Sequence, residues 1–164
     1  MVLDNMQIAF DLHFLLLRSS KSQHTLGHED IVRRAVGLFD KVIVALGANS
    51  DKHGQFSIEQ RKEWIEQTFV DLDQVEVAVY EGLTTEFCRS VGATVLVRGV
   101  RNGLDLAYEQ QIADLNRRIA PEIETVLLMT RPELSDVSSS AIRELLKYNM
   151  SVDELIPSKI NIVN

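Results

Sequence analysis

Three short stretches, far apart in the chain, carry residue types that suit phosphate oxygens. Thr25–His28 contains a Gly-His pair, Val97–Arg101 contains two arginines around Gly-Val, and Val137–Glu144 begins with three consecutive serines. Backbone N–H groups at a helix start, guanidinium groups and hydroxyls are common phosphate-binding groups. Each stretch lies where a strand-like pattern gives way to a helix-like one, which is the ligand-binding edge of an open parallel sheet. This combination predicts a nucleotide-handling enzyme.

Apolar periodicity around these stretches alternates between helix and strand. The run at 41–47 is continuous and rich in β-branched residues, as in a strand buried on both faces. Ser57 and Gln60 form a capping-box pattern that predicts a helix start, and Gly92 is a plausible helix end. The predicted strands lie at 41–47, 75–79, 94–97 and 125–129, and the predicted helices at 29–40, from 58, 84–91, 104–120 and 139–148.

Strands separated by helical segments imply right-handed crossovers. We therefore expect an α/β fold with a Rossmann-like, doubly wound parallel sheet of five strands and helices on both faces. No repeat or linker interrupts the pattern, so residues 1–164 are predicted to form a single domain, with 1–24 as an atypical first segment. In this arrangement the paired arginines lie on a loop after the strand at 94–97.

Composition narrows the functional classes. The chain has 164 residues, 45% of them hydrophobic, which is enough for one substantial core. Its formal net charge of −7 argues against a nucleic-acid binder. The single Cys88 excludes an internal disulfide framework, no apolar run reaches the length of a membrane span, and no signal peptide is evident. A cytoplasmic location without membrane partners is expected, and Cys88 is predicted to be a buried small residue.

From about Thr25 to Pro157, the chain resembles the bacterial phosphopantetheine adenylyltransferases, a family of the T/H-x-G-H nucleotidyltransferase superfamily. The order and spacing of several motifs carry this resemblance, which is more specific than any one of them. The motifs are Thr25-Leu26-Gly27-His28, Asn49-Ser50-Asp51-Lys52, Val97-Arg98-Gly99-Val100-Arg101, Tyr108-Glu109, Leu115-Asn116-Arg117-Arg118 and Val137-Ser138-Ser139-Ser140.

The resemblance implies a reaction between ATP and 4′-phosphopantetheine that gives dephospho-coenzyme A and pyrophosphate with the help of Mg²⁺. The acceptor phosphate attacks the α-phosphorus in line, without a covalent intermediate. Because that phosphate is already anionic, the protein must supply mainly alignment and charge stabilisation. The resemblance also implies a homohexamer and binding of coenzyme A.

Site residues follow from the resemblance, position by position. The catalytic residues it implies are His28, Lys52 and Arg101, and no protein ligand to a metal is implied. Ser20, Lys52, Thr84 and Arg98 match positions that bind the pantetheine substrate. The residues that match ATP-binding positions are Ser19, Ser20, His28, Gly99, Val100, Arg101, Glu109, Leu134, Ser135, Asp136, Val137, Ser138, Ser139 and Ser140.

Plainer interpretations exist for these residue types. A histidine at a helix start can be satisfied locally, a loop lysine is usually solvated, and paired arginines can form surface salt bridges. One of the three serines at 138–140 is enough to cap a helix. Asp105 is predicted to orient an arginine through a charge-assisted bond. Tyr108 is predicted to pack in the core or in the pocket wall.

The front of the chain departs from the family pattern. Family members have a P-G-[ST]-F-D-P turn shortly before the T-x-G-H motif, and this turn is absent here. Counted without gaps, its place is taken by residues 18–23 and the first strand is 13–17; with a gap, the strand is 6–10 and residues 11–24 are inserted. The lost proline and glycine shape a tight turn toward the triphosphate. Either the phosphate loop is rebuilt or the reading frame is locally altered.

The sequence is therefore compatible with two classes of function. The first is the adenylyltransferase. The second is a nucleotide- or coenzyme A-binding protein with impaired turnover because the first turn is missing. An enzyme of the same superfamily that uses another acceptor, such as nicotinamide mononucleotide, or that transfers a cytidylyl group, is a third alternative.

Overall fold

A parallel five-stranded sheet in the order β3-β2-β1-β4-β5 forms the centre of the computed structural model. The structure describes residues 15–19, 24–48, 56–160 and 162, and within 15–19 only the backbone strand. The strands are β1 (Leu15–Ser19), β2 (Val42–Gly47), β3 (Val75–Tyr80), β4 (Val95–Val100) and β5 (Glu124–Met129). The helices are α1 (Leu26–Val36), α2 (Ile58–Thr68), α3 (Thr84–Val91), α4 (Gly103–Ile119) and α5 (Ser139–Lys147), with a short 3-10 helix at Pro132–Leu134.

Helices cover both faces of the sheet. On one face, α1 and α2 bury Ile31 and Ile65 against Val44 and Val97. On the other face, Cys88 of α3 and the residues that follow α4 pack against a second apolar cluster. The predicted Rossmann-like α/β fold is thus confirmed. Cys88 is buried as predicted, and burial raises the pKa of its thiol to about 11.

The order of the strands fixes where a ligand can bind. The chain moves from β1 to β2 and β3 in one direction, and then crosses back so that β4 pairs with the other side of β1. In open α/β sheets, the crevice outside the carboxyl ends of the strands at such a reversal is the usual ligand site. β1 and β4 therefore border the expected site.

Local chemistry explains several element boundaries. Helix α3 spans 84–91 as predicted and ends at Gly92, whose φ of 72° is left-handed and favours glycine. Ser57 caps α2 by accepting a hydrogen bond from the Gln60 N–H at 3.2 Å. Within the described ranges, no helix is both long and apolar enough to cross a membrane.

The prediction that the paired arginines lie on a loop is wrong for Arg98. β4 continues to Val100, because Arg98 and Gly99 still pair with β5. Gly99 also lies against α1: a Cβ there would be 3.1 Å from Cγ1 of Ile31, so glycine permits this close helix–strand approach.

The first strand of the sheet is Leu15–Ser19, which overlaps the strand at 13–17 expected from the ungapped count. It pairs with β2 on one side and β4 on the other, so it is central. Residues 6–10, the strand of the gapped alternative, lie outside the described residues.

Candidate active site

The three phosphate-suited stretches meet around one cavity of about 420 Å³. The cavity opens at the carboxyl edge of the sheet, next to the ends of β4 and β5 and the start of α1. This convergence confirms the central geometric prediction from the sequence. The lining residues are Thr25, Gly27, His28, Ile31, Val97, Arg98, Gly99, Arg101, Asp105, Glu109, Thr130, Val137, Ser138, Ser139, Ser140 and Arg143.

The start of α1 holds His28 in a fixed position. Thr25 is the N-cap residue, and its hydroxyl oxygen accepts a hydrogen bond from the His28 backbone N–H at 3.4 Å. In return, the Thr25 backbone N–H donates to Nδ1 of His28 at 3.2 Å. The Thr25 Oγ1 lies 2.9 Å from the same Nδ1. The two residues thus cap the helix reciprocally, and the imidazole lines the cavity.

Burial and neighbouring cations keep the imidazole of His28 neutral. Burial first, and then the charges of Arg98, Arg101 and Arg61, lower the pKa of His28 to about 4. A neutral imidazole has one N–H donor and one acceptor nitrogen. At pH 7 this side chain therefore offers a hydrogen bond to a ligand and adds no positive charge.

Two of the three arginines that line the cavity, Arg98 and Arg101, are held by carboxylates from α4. Arg98 forms a two-point ion pair with Glu109, with Nε–Oε2 at 2.8 Å and Nη2–Oε1 at 2.7 Å. Arg101 forms a similar pair with Asp105, with Nε–Oδ2 at 2.8 Å and Nη2–Oδ1 at 3.2 Å. Asp105 also accepts from the Arg101 backbone N–H, and Arg101 lowers the pKa of Asp105. The prediction that Asp105 orients an arginine is confirmed.

The serine triplet begins α5 on the other side of the cavity. Ser138 is the N-cap residue and accepts from the Ala141 N–H at 3.1 Å. Arg143 Nη2 donates to Ser140 Oγ at 3.1 Å, and no acidic residue occupies the first turn of the helix. The helix dipole, the backbone N–H groups and Arg143 make this end of the cavity positive.

Several predicted residues do not reach the cavity wall. Thr84 is the first residue of α3 and follows the edge strand β3, which is two strands away from β1 in the sheet; its hydroxyl is 2.7 Å from the Tyr80 hydroxyl. Val100 is wholly buried, and its carbonyl oxygen accepts from the Thr130 N–H. The predicted residues Leu134, Ser135 and Asp136, around the short 3-10 helix, are also absent from the lining. Their ligand contacts stay predictions.

Three predicted residues cannot be placed in the site. Ser20 and Lys52 lie outside the described residues. Ser19 ends the backbone of β1, at the edge of the sheet where the cavity opens.

The sequence did not single out two residues near the cavity. His24 is 4% exposed, and its ring stacks on that of His28 with centroids 5.8 Å apart. Among the residues that the structure describes, neither ring nitrogen of His24 has a hydrogen-bond partner. Burial and then His28 lower its pKa. Arg143 was part of the serine stretch but had no assigned role. The available signal for Arg143 was its position three residues after the serine triplet at a predicted helix start. For His24, the sequence shows only that it directly precedes Thr25.

This fold and site define a nucleotidyltransferase class. The family model described as cytidylyltransferase-like matches residues 24–145, which include α1, the paired arginines and the serine triplet. Phosphopantetheine adenylyltransferases are similar in sequence over most of the chain. The protein from Cytophaga hutchinsonii is 46% identical over 83% of this chain and 91% of its own. Those from Porphyromonas gingivalis and Flavobacterium psychrophilum are 44% and 41% identical over 87% and 84% of this chain, and 92% and 91% of their own. The chain belongs to the phosphopantetheine adenylyltransferase family.

A solved structure with little sequence similarity supports the fold. A bifunctional NMN adenylyltransferase/ADP ribose pyrophosphatase from Francisella tularensis superposes with a TM-score of 0.70 at 16% identity, over 91% of this chain and 46% of that chain. At this identity the match concerns the fold alone.

Proposed function

We propose that the protein transfers the adenylyl group of ATP to 4′-phosphopantetheine, giving dephospho-coenzyme A and pyrophosphate. The observation that carries the proposal is the convergence of His28, the two arginines and the serine triplet on one cavity at the sheet edge. Family membership, with 41–46% identity to the relatives above, supports the choice of this acceptor over others.

In the proposed reaction, an oxygen of the acceptor phosphate forms a bond to the α-phosphorus of ATP while the bond from that phosphorus to the bridging oxygen breaks. Pyrophosphate leaves with the bond electrons. The neutral imidazole of His28 donates to an oxygen of the transferring group. Arg101 and the start of α5 bind the phosphates that leave, and Arg98 binds the acceptor phosphate. These donors are oriented before the reaction and therefore stabilise the developing charge.

Mg²⁺ is proposed to enter with the nucleotide. Among the described residues, no group of three or more His, Cys, Asp or Glu side chains is arranged to hold a metal ion. The carboxylates of the cavity, Asp105 and Glu109, each bind an arginine. This fits an ion that is held mainly by phosphate oxygens and water, as Mg²⁺ is in many nucleotide sites. When bound, Mg²⁺ would neutralise part of the triphosphate charge.

We also propose that the chain is one domain that assembles with copies of itself, as the family resemblance to homohexamers implies. One exposed face of α4 supports association. Four large apolar side chains at helical spacing are between 43% and 85% exposed on this face. Tyr108 is one of them, so the prediction that it packs in the core or in the pocket wall is wrong. The four are Leu104, Tyr108, Leu115 and Ile119. Analytical ultracentrifugation measures the assembly. A cytoplasmic location and binding of coenzyme A stay predictions.

A pyrophosphate-release assay with ATP, Mg²⁺ and 4′-phosphopantetheine tests the proposed function. Turnover supports it, and His28→Ala is expected to lower turnover roughly a hundredfold, the scale of losing one oriented donor. Arg117→Ala is the control, because Arg117 lies in an exposed ion pair with Glu124. Calorimetric binding of ATP without turnover would favour the impaired-turnover alternative. Turnover only with nicotinamide mononucleotide as the acceptor, or only with CTP as the nucleotide, would show that the protein catalyses a different transfer reaction.

A further inference from the structure

Thr25 makes two contacts to the same nitrogen of His28. Its backbone N–H donates to Nδ1 at 3.2 Å, and its hydroxyl oxygen lies 2.9 Å from Nδ1. A backbone N–H can only donate, so Nδ1 must be the acceptor. The hydroxyl beside it then also acts as a donor to Nδ1. Thr25 is 2% exposed, so water does not compete for these contacts.

This pairing fixes the position of the imidazole proton. A neutral imidazole whose Nδ1 accepts carries its proton on Nε2. Protonating Nδ1 as well would bring two N–H donors face to face. The Thr25 contacts therefore oppose both the other neutral tautomer and the imidazolium.

Burial and the cations around His28 also disfavour its protonation. Arg98 lies on β4, Arg101 directly follows β4, and Arg61 lies on α2; the charge of each lowers the pKa of His28. His24 stacks on the ring from the residue before Thr25, and its pKa is also lowered. Two carboxylates, Asp105 and Glu109, line the same cavity, and each is paired with one of these arginines. An anionic ligand would change this balance by attracting a proton to His28.

We propose that Thr25 is a positioning residue that holds His28 as the Nε2–H tautomer, so that His28 gives the transferring phosphate a hydrogen bond without taking up a proton. This inference rests on the proposed function for the identity of the ligand. It adds a role for the first residue of the motif: Thr25 keeps the imidazole neutral when the polyanionic nucleotide binds. The acceptor phosphate is already anionic, so the reaction does not need His28 as a base that takes up its proton.

Nitrogen-15 NMR of the histidine rings tests the proposal without requiring turnover. The His28→Ala spectrum assigns the signals. In the wild-type protein at pH 7, we expect an N–H-type Nε2 and an acceptor-type Nδ1, both with and without a non-hydrolysable ATP analogue. An Nδ1–H tautomer, or an imidazolium in the complex, would overturn the inference even if the enzyme is active.

Two variants of Thr25 separate positioning from helix capping. Thr25→Ser keeps the hydroxyl and is expected to keep both the tautomer and kcat. Thr25→Val keeps the shape but removes the hydroxyl; we expect a higher apparent pKa of His28 and a loss in kcat of about 10- to 100-fold, with a smaller change in KM for ATP. Ser57→Ala is the matched control for helix capping, since it removes the cap bond of α2 but no hydrogen bond to His28. Equal kcat in Thr25→Val and Thr25→Ser would contradict a positioning role.

Two substitutions at His28 test the position of its proton even if Thr25→Val fails to fold. The amide N–H of a glutamine reaches about as far as Nε2, whereas that of an asparagine matches Nδ1. We expect His28→Gln to retain at least about tenfold more turnover than His28→Asn, the scale of one donor hydrogen bond. The reverse order would contradict the Nε2–H assignment. Loss of activity in His28→Ala with an Nδ1–H signal in the wild type would reject this inference and leave the proposed function standing.

Discussion

Arg98 and Glu109 are joined by two hydrogen bonds in the wall of the cavity, although Arg98 lies on a strand and Glu109 on a helix. Their side chains are only 17% and 11% exposed. One turn earlier on the same helix, Asp105 holds Arg101 in the same manner. Two carboxylates four residues apart on α4 thus orient both arginines of the Val97–Arg101 stretch. The family resemblance implied contact between Glu109 and ATP; in this structure its contact is Arg98.

Glu109→Ala is expected to destabilise the fold. It leaves the largely buried Arg98 without its carboxylate, and breaking such a pair costs about 3 kcal/mol in free energy of unfolding. Urea denaturation measures this loss. The control is Glu124→Ala, which breaks the exposed Arg117–Glu124 pair and is expected to cost less than about 1 kcal/mol. Similar losses in both variants would show that the buried pair has no special role.

Asp105→Asn is expected to lower turnover while the fold is kept. The amide cannot accept both guanidinium bonds, so Arg101 loses its fixed orientation toward the leaving phosphates. We expect kcat to fall about tenfold, because disordering a donor removes part of its preorganised stabilisation. Asp114→Asn, at an exposed position of the same helix, is the control. Unchanged kcat in Asp105→Asn would mean that Arg101 is positioned by other contacts or does not act.

Arg143→Ala is expected to weaken ATP binding. Arg143 lines the cavity and donates to Ser140 at the start of α5, where a phosphate would bind. Loss of one charge-assisted hydrogen bond predicts an increase of about tenfold in KM for ATP. Steady-state kinetics at saturating acceptor measures it. If KM rises no more than in Arg117→Ala, Arg143 has no part in binding the nucleotide.

The lowered pKa of His28 predicts how stability depends on pH. The folded value is about 4 against an ordinary value of 6.5, so between these two pH values the unfolded chain binds more protons. His28 therefore makes the free energy of unfolding fall as the pH drops from 6.5 toward 4. His28→Gln should show a smaller fall, by urea denaturation at pH 7 and pH 5. Identical pH dependence in both proteins would mean that His28 titrates normally in the fold. Buried His24 contributes in the same direction in both proteins.

The sequence predicted those parts of the fold that depend on local chemistry. Apolar runs located β2, β3 and β5 closely, and the need for a left-handed residue placed the end of α3 at Gly92. The end of β4 was missed because an arginine and a glycine are poor strand signals. Only pairing with β5, which the sequence does not reveal, keeps them in the strand.

The sequence predicted which segments form the site better than it predicted the contacts within the site. From the motifs we expected His28, the arginines and the serines to meet at one site, and they line one cavity. The partners of the arginines depend on how α4 packs against β4, which is a property of the tertiary structure. Asp105 was within reach because it lies four residues after Arg101, whereas the Arg98–Glu109 pair spans eleven residues between a strand and a helix. His24 gave no signal because its relation to His28 depends on the backbone before α1.

The most direct test is a crystal structure of the protein with a non-hydrolysable ATP analogue and Mg²⁺. We expect the triphosphate to occupy the cavity, within hydrogen-bond distance of the imidazole of His28, the guanidinium of Arg101 and the N-terminal end of α5 at 138–140. A triphosphate bound elsewhere on the molecule, with these three groups out of contact, would contradict the account.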